Sequence, residues 1–217
     1  MADKKVSTKI LRPVYDEDLE IIELSNDSIF DDAIFSYGTI SNCSLENLEA
    51  ERIVFKQVIF NGVIFNKIAF RHIELIGVRF LNCDLSNVDF HEASLHRVEF
   101  INCKIIGIDL GEATLRDVIF ENCNGQYAFF SYSNCKQLAF LECELSFSDF
   151  NNSIFSKVEF QKSSLHRAQM NFTKLKGIDF TSCDIEGLGV NIPDVNGAIV
   201  TAMQAVSLSV LLGLIVK

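Results

Sequence analysis

The sequence predicts an all-β solenoid with four sides. Three observations carry that reading: an apolar series at every fifth residue, a recurrence of residue type at spacing 20, and turn-forming residues gathered on one phase between the apolar ones. A helix repeats near 3.6 and a strand repeats at 2. A sustained period of five is neither, so the chain is read as short straight pieces joined by corners.

The straight pieces come first. Counting in fives from Phe30 to Val190 meets Phe, Leu, Ile, Met or Val at almost every step, and 16 of the 19 Phe lie on this phase. Two residues earlier runs a smaller series, including Ile53, Val58, Val63, Ile68, Val88 and Ala93. The number of sides follows from the ladders. Phe60, Phe80, Phe100, Phe120, Phe140, Phe160 and Phe180 form an unbroken series at spacing 20. Cys43, Cys83, Cys103, Cys123, Cys143 and Cys183 share the smaller phase and are separated by multiples of 20. Four pentapeptides per coil stack residue n on n+20, with coils about 4.8 Å apart.

Corners are placed independently. Gly62, Gly77, Gly107, Gly177 and Gly187 lie two residues after the apolar centre, as do Asn42, Asn47, Asn82, Asn87, Asn102, Asn122 and Asn152. Gly and Asn tolerate a left-handed backbone best.

The triplets Cys83-Asp84-Leu85, Val88-Asp89-Phe90, Ile108-Asp109-Leu110, Ser148-Asp149-Phe150 and Cys183-Asp184-Ile185 resemble the pentapeptide-repeat family, whose repeat is written A(D/N)LXX. The resemblance covers residue 28 to about 200. It implies a right-handed quadrilateral β-helix, in agreement with the spacing of 20.

The ends depart from the phase. Residues 1–25 form an N-terminal cap or arm that includes the run Asp16-Glu17-Asp18, and residues 26–200 are the repeats. Residues 201–217 form a separate module. Thr201 to Leu212 reads as one amphipathic helix, Gly213 as its stop, and Leu214-Ile215-Val216 as a short strand. Gln204, Ser207 and Ser209 argue against a membrane span. This tail resembles the C-terminal module of Qnr-type quinolone-resistance proteins, where it joins two solenoids tail to tail. The resemblance implies a homodimer through Leu208, Leu211, Leu212, Leu214 and Val216. No insertion interrupts the register between 28 and 190, as in the loop-free members of that subgroup.

Composition bounds the function. There are 19 basic and 29 acidic residues, a net charge of −10, and residues 26–190 alone hold 22 acids against 14 bases. That excess argues against nucleic-acid binding, which needs cations for phosphates. The polar start MADKKVSTK reads as no secretory signal. With seven Cys, it points to reduced thiols in the cytoplasm.

Catalytic and metal chemistry find little to work with. Thiols in a line about 4.8 Å apart do not converge as zinc ligands must. His72, His91, His96 and His166 lie on outward phases with no metal partner or nucleophile in a shared cleft, and a filled solenoid offers no pocket. No phosphate loop, metalloprotease motif or serine elbow occurs. The chain is expected to be a non-enzyme with no cofactor.

The acids are more informative. Asp84, Asp89, Glu99, Asp109, Glu144, Asp149, Glu159, Asp179 and Asp184 all precede the apolar centre and point outward. A narrow negative rod imitates duplex DNA in its field, although any soluble solenoid needs charged faces. With the Qnr resemblance, the faces imply a dimer that binds DNA gyrase or topoisomerase IV and protects it from quinolones. The alternative is a scaffold with an unrelated protein or membrane-edge partner. Replacing Asp84, Asp89, Asp109 and Asp149 by Lys is expected to spare the fold, since exposed charges contribute little. Val54, Ile59, Ile64, Ala69, Ile119, Phe129 and Ile154 put apolar groups where acids are usual, either as a contact surface or as a patch under the N-terminal arm.

Overall fold

The computed structural model describes residues 9–15, 19–24 and 26–216; the run Asp16-Glu17-Asp18 lies outside the described residues. Strands β1 (Glu20–Ile21), β2 (Ile34–Ser41), β3 (Ser44–Glu51), β4 (Val54–Asn61), β5 (Ile64–Arg71), β6 (Glu74–Ile76), β7 (Arg79–Leu81), β8 (Ser94–Ile101), β9 (Thr114–Glu121), β10 (Asn134–Leu141) and β11 (Ile154–Gln161) are followed by helix α1 (Ala202–Leu208). The strands after β1 stack in parallel. Each residue pairs with the one 20 further on: Phe60 with Phe80, Phe80 with Phe100, Phe100 with Phe120. Isolated bridges carry the same register onward through Ser164–Asp184 and Asp179–Ile199.

Corners fall every five residues. The expected Asn and Gly positions are left-handed, for example Asn82 at φ 53° and Gly107 at φ 63°. So are Arg52, His72, Glu92 and Tyr127, which ordinarily avoid that region. The ladder holds them there. Corner N–H groups donate to the next coil, to a carbonyl as Asn82 does to Ile101 at 3.0 Å and Glu92 to Gly111 at 2.9 Å, or to a side-chain oxygen as Lys162 does to Ser182 and Phe172 to Asp194. Strained backbone persists where surrounding bonds over-determine it.

The interior is filled by the ladders. Rings stack almost parallel along Phe80–Phe100 (4.7 Å) and Phe100–Phe120 (4.6 Å), and a second column runs Phe130–Phe150 (4.8 Å). The columns meet edge to face, as Phe120 meets Phe130 at 86°, an arrangement favoured by the ring quadrupoles. The Cys phase has a role beyond size. The thiols of Cys103 and Cys123 donate to the carbonyls of Phe80 and Phe100 at 3.5 and 3.3 Å. Ser153 and Thr173 hydroxyls do the same for Phe130 and Phe150 at 2.7 and 2.6 Å. These small polar groups satisfy corner carbonyls that the parallel ladder leaves over.

The C-terminal helix caps the last coil. Thr201 and Gln204 form a reciprocal capping box. The Gln204 side chain also donates to the carbonyls of Phe180 (2.8 Å) and Cys183 (2.9 Å), closing the open end. The helix tightens to a 3₁₀ turn at Ser209–Leu212 and ends at left-handed Gly213, φ 73°. Leu208 and Leu211 pack on the core, whereas Leu212, Leu214, Ile215 and Val216 are exposed. The strand expected at Leu214-Ile215-Val216 is not formed in the single chain. A strand needs a backbone to pair with, and no described residue supplies one. No helix among the described residues is long and apolar enough to cross a membrane.

Candidate functional site

The parallel register gathers the outward acids into columns. One side carries Asp84, Lys104, Asn124, Glu144, Ser164 and Asp184 in line. The adjoining side carries Asp89, Asp109, Phe129, Asp149 and Gln169. Asp179 and Asp184 are exposed, and Asp84, Asp89, Asp109, Glu144 and Asp149 are half-buried. Glu159, on a third side, is also half-buried, beside Gln161 at 3.2 Å.

Half-burial has a cause that phase alone does not reveal. Each carboxylate accepts the backbone N–H two residues on: Asp84 from Ser86 at 3.1 Å, Asp89 from His91 at 3.0 Å, Asp109 from Gly111 at 2.8 Å, Asp149 from Asn151 at 2.8 Å. Asn124 bonds Gln126 in the same way. The repeat prefers Asp or Asn here because a short carbonyl-bearing side chain closes this turn. At Asp84 partial burial works against ionisation. The hydroxyl and N–H of Ser86, with Lys104, outweigh it and hold the carboxyl below its ordinary range. The four aspartates are therefore turn caps as well as charges, which corrects the expectation that Lys could replace them without loss.

Glu99 departs from the expected acidic face. Its side chain is 1% exposed, clamped between Arg12 (2.8 Å) and Arg79 (2.6 Å). The N-terminal arm covers it. The Lys9 carbonyl accepts from Gln137, the Leu11 N–H donates to Asp117, Arg12 pairs with Glu99, and the Val14 carbonyl accepts from Gln57. Tyr15 lies with its ring 5.2 Å from the Arg79 guanidinium. The arm thus descends one side of the solenoid, coil by coil, until β1 joins β2. On that side Ile119 and Ala139 are buried. Of the outward apolar residues, Ile64, Phe129 and Ile154 remain exposed, and Val54, Ile59 and Ala69 are half-buried.

The outward histidines do meet carboxylates. His91 lies 3.5 Å from Asp109 and 3.9 Å from Glu112, and His72 lies 3.3 Å from Glu92. His166 gathers with Asp184 and Glu186. The His91 and His166 groups are surface clusters of acids around one imidazole.

Sequence reasoning also missed a group of rings. Tyr127, Tyr132, Phe147 and Phe172 occupy corner positions expected for Gly or Asn, and all are exposed, on the two corners that bound the side carrying Phe129. A signal existed: Phe129, Phe147 and Phe172 are the three Phe off the core phase, and spacing 20 puts Phe129 on one side and Phe147 and Phe172 on the corners that bound it.

The family description "Pentapeptide repeat region" matches residues 73–150 and 93–170. Among solved structures, full-length QnrB1, a plasmid-mediated fluoroquinolone resistance protein, is 16% identical at TM-score 0.40, over 82% of this chain and 100% of that one. A pentapeptide repeat protein of the Arabidopsis thaliana thylakoid lumen is 20% identical at TM-score 0.35, over 48% of this chain and 63% of that one. HetL from Nostoc sp. strain PCC 7120, involved in heterocyst differentiation regulation, is 13% identical at TM-score 0.28, over 79% and 93%. No curated protein matches the chain.

Proposed function

The chain is a pentapeptide-repeat protein, and from that premise we propose that it is a DNA-mimicking binding protein. It works as a cytoplasmic dimer, without turnover, that enters the DNA groove of gyrase or topoisomerase IV and relieves quinolone poisoning. The observation that carries the reading is the pair of adjoining sides whose carboxylates stand in register from coil to coil. A net charge of −10 over a rod of about 40 Å gives about one charge per 4 Å, against about one per 1.7 Å for duplex DNA. The likeness is to a narrow negative rod of lower charge density, so contacts other than charge must add affinity. The exposed Leu212, Leu214, Ile215 and Val216 suit a tail-to-tail pairing that lengthens the rod.

The test is gyrase supercoiling with and without a quinolone, at several salt concentrations. The expected result is inhibition or protection that weakens steeply as salt rises, as DNA binding does. A folded protein that leaves supercoiling and quinolone poisoning unchanged at every salt concentration overturns the reading.

A further inference from the structure

One side of the solenoid is divided between acids and rings. Tyr127, Phe129 and Tyr132 lie across a single coil, and Phe147 and Phe172 belong to the next two coils, at the corners that bound that side. All five are exposed, Phe129 at 47% and Phe172 at 70%. Tyr127 stacks on Phe147 at 5.1 Å, and the Arg167 guanidinium stands 5.9 Å from the Phe147 ring. Phe129 is paired in register with Asp109 on one side and Asp149 on the other. Asp89 continues the same column beyond Asp109.

Folding does not explain these rings. They bury nothing in the core, and four of them hold left-handed corners, with φ from 58° to 63°, that Asn or Gly would fill with less strain. Exposed aromatics gathered on one side and its bounding corners mark contact surfaces. Their neighbours select the partner. A second copy would bring the same carboxylates face to face. A nucleic acid could stack its bases here, but its phosphates would meet Asp109 and Asp149. A cationic side chain gains twice, from the ring face and from the adjoining carboxylate.

We propose that this side, centred on Phe129 and flanked by Asp109 and Asp149, is a binding site for a basic, partly apolar protein segment, in which Arg or Lys side chains lie on the rings. The proposal rests on the reading that the rod has a cationic protein partner, and it names the surface that takes it.

The experiment titrates the full-length protein by calorimetry with a short synthetic peptide of alternating Arg and Leu. The variant combines Tyr127→Asn, Phe129→Ser, Tyr132→Asn and Phe147→Asn. It should melt at or above the parent's temperature, because Asn suits the corners. Binding should weaken about tenfold or more. Glu74→Gln with Glu121→Gln, outside both acidic columns, should change it about twofold or less. A peptide with Glu in place of Arg should not bind the parent. Equal binding by parent and aromatic variant overturns the proposal, as does a parent that binds no Arg-Leu peptide. Self-association of the parent that the variant abolishes also overturns it, in favour of a second copy. A variant that loses the peptide yet inhibits gyrase like the parent supports this surface while removing gyrase from it, so the two readings fail separately.

Discussion

Arg12 and Glu99 form an ion pair of 2.8 Å across 87 residues of sequence, in which the acid is buried and the base half exposed. The pair fixes the arm to the middle of the solenoid. Arg79 shares the same carboxylate at 2.6 Å, so loss of Arg12 would leave Glu99 partnered but uncovered. Arg12→Ala is expected to cost about 1–2 kcal/mol, below the full value of a charged hydrogen bond because the guanidinium is partly solvated. Cleavage within residues 9–15 by a non-specific protease should accelerate while the coils stay protected. Unchanged cleavage would mean that the backbone bonds at Leu11 and Val14 suffice to seat the arm.

Phe120 tests the core phase. Its ring is fully buried between Phe100 at 4.6 Å and Phe140 at 4.9 Å. Phe120→Ala should cost about 3–5 kcal/mol, and Phe129→Ala far less. Inserting one residue near position 100 should be worse than either, because every later side chain changes phase. Denaturant melts of the three variants give the order directly.

The aspartates separate charge from turn closure. Asp84, Asp89, Asp109 and Asp149 replaced together by Asn keep an acceptor for the N–H two residues on, and should melt close to the parent. Replaced by Lys, each loses a bond of about 0.5–1.5 kcal/mol. If both quadruple variants melt alike, the bonds from Ser86, His91, Gly111 and Asn151 contribute nothing measurable. Supercoiling assays on the Asn variant then report the effect of charge alone.

The thiols predict a pH window. Burial pushes Cys135 up to about 12, its bond with Ser133 working in the opposite sense, and burial also raises Cys183. Below about pH 9 both folded and unfolded chains hold the Cys135 proton. Between about 9 and 12 only the unfolded chain loses it, so stability falls as pH rises through that window. Cys135→Ala removes this term. The stability gap between parent and variant should shift against the parent by about 2–3 kcal/mol between pH 8 and 11. A constant gap would show that the thiol ionises equally in both states.

The tail predicts assembly. Leu212, Leu214 and Val216 are exposed in the single chain, while Leu208 and Leu211 already pack on the core. Deleting residues 213–217 should yield a soluble monomer of nearly unchanged melting temperature, read by light scattering. A full-length protein that is monomeric at micromolar concentration would reduce the tail to a cap.

Much of this was legible in the sequence because a stacked coil writes its geometry as a period. Phe60 to Phe180 revealed the register, and Asn82, Asn102 and Asn122 revealed the corners, whose side chains hydrogen-bond in line at 3.3 and 2.7 Å. Two things were hidden because they depend on contacts rather than phase, and a third was overlooked. Glu99 has an outward phase, yet an arm without periodicity covers it. Asp89 and Asp109 read as charges, although their shape is what the turn requires. Tyr127 and Tyr132 were overlooked because the ladder bonds allow almost any residue at a corner, so only the off-phase Phe129, Phe147 and Phe172 pointed to that side.

The arm's route has a consequence for synthesis. Lys9 to Tyr15 leave the ribosome before the coils, yet they rest on Gln57, Arg79, Glu99, Asp117 and Gln137. Coils can stack one upon another as they emerge, each using its predecessor as a template. The arm must wait until the coil carrying Gln137 has formed, and it then closes over ground laid down long after itself. Its seating therefore marks the completion of the coils up to Gln137, and a nascent protein halted before that point would leave the Glu99 carboxylate uncovered by Arg12.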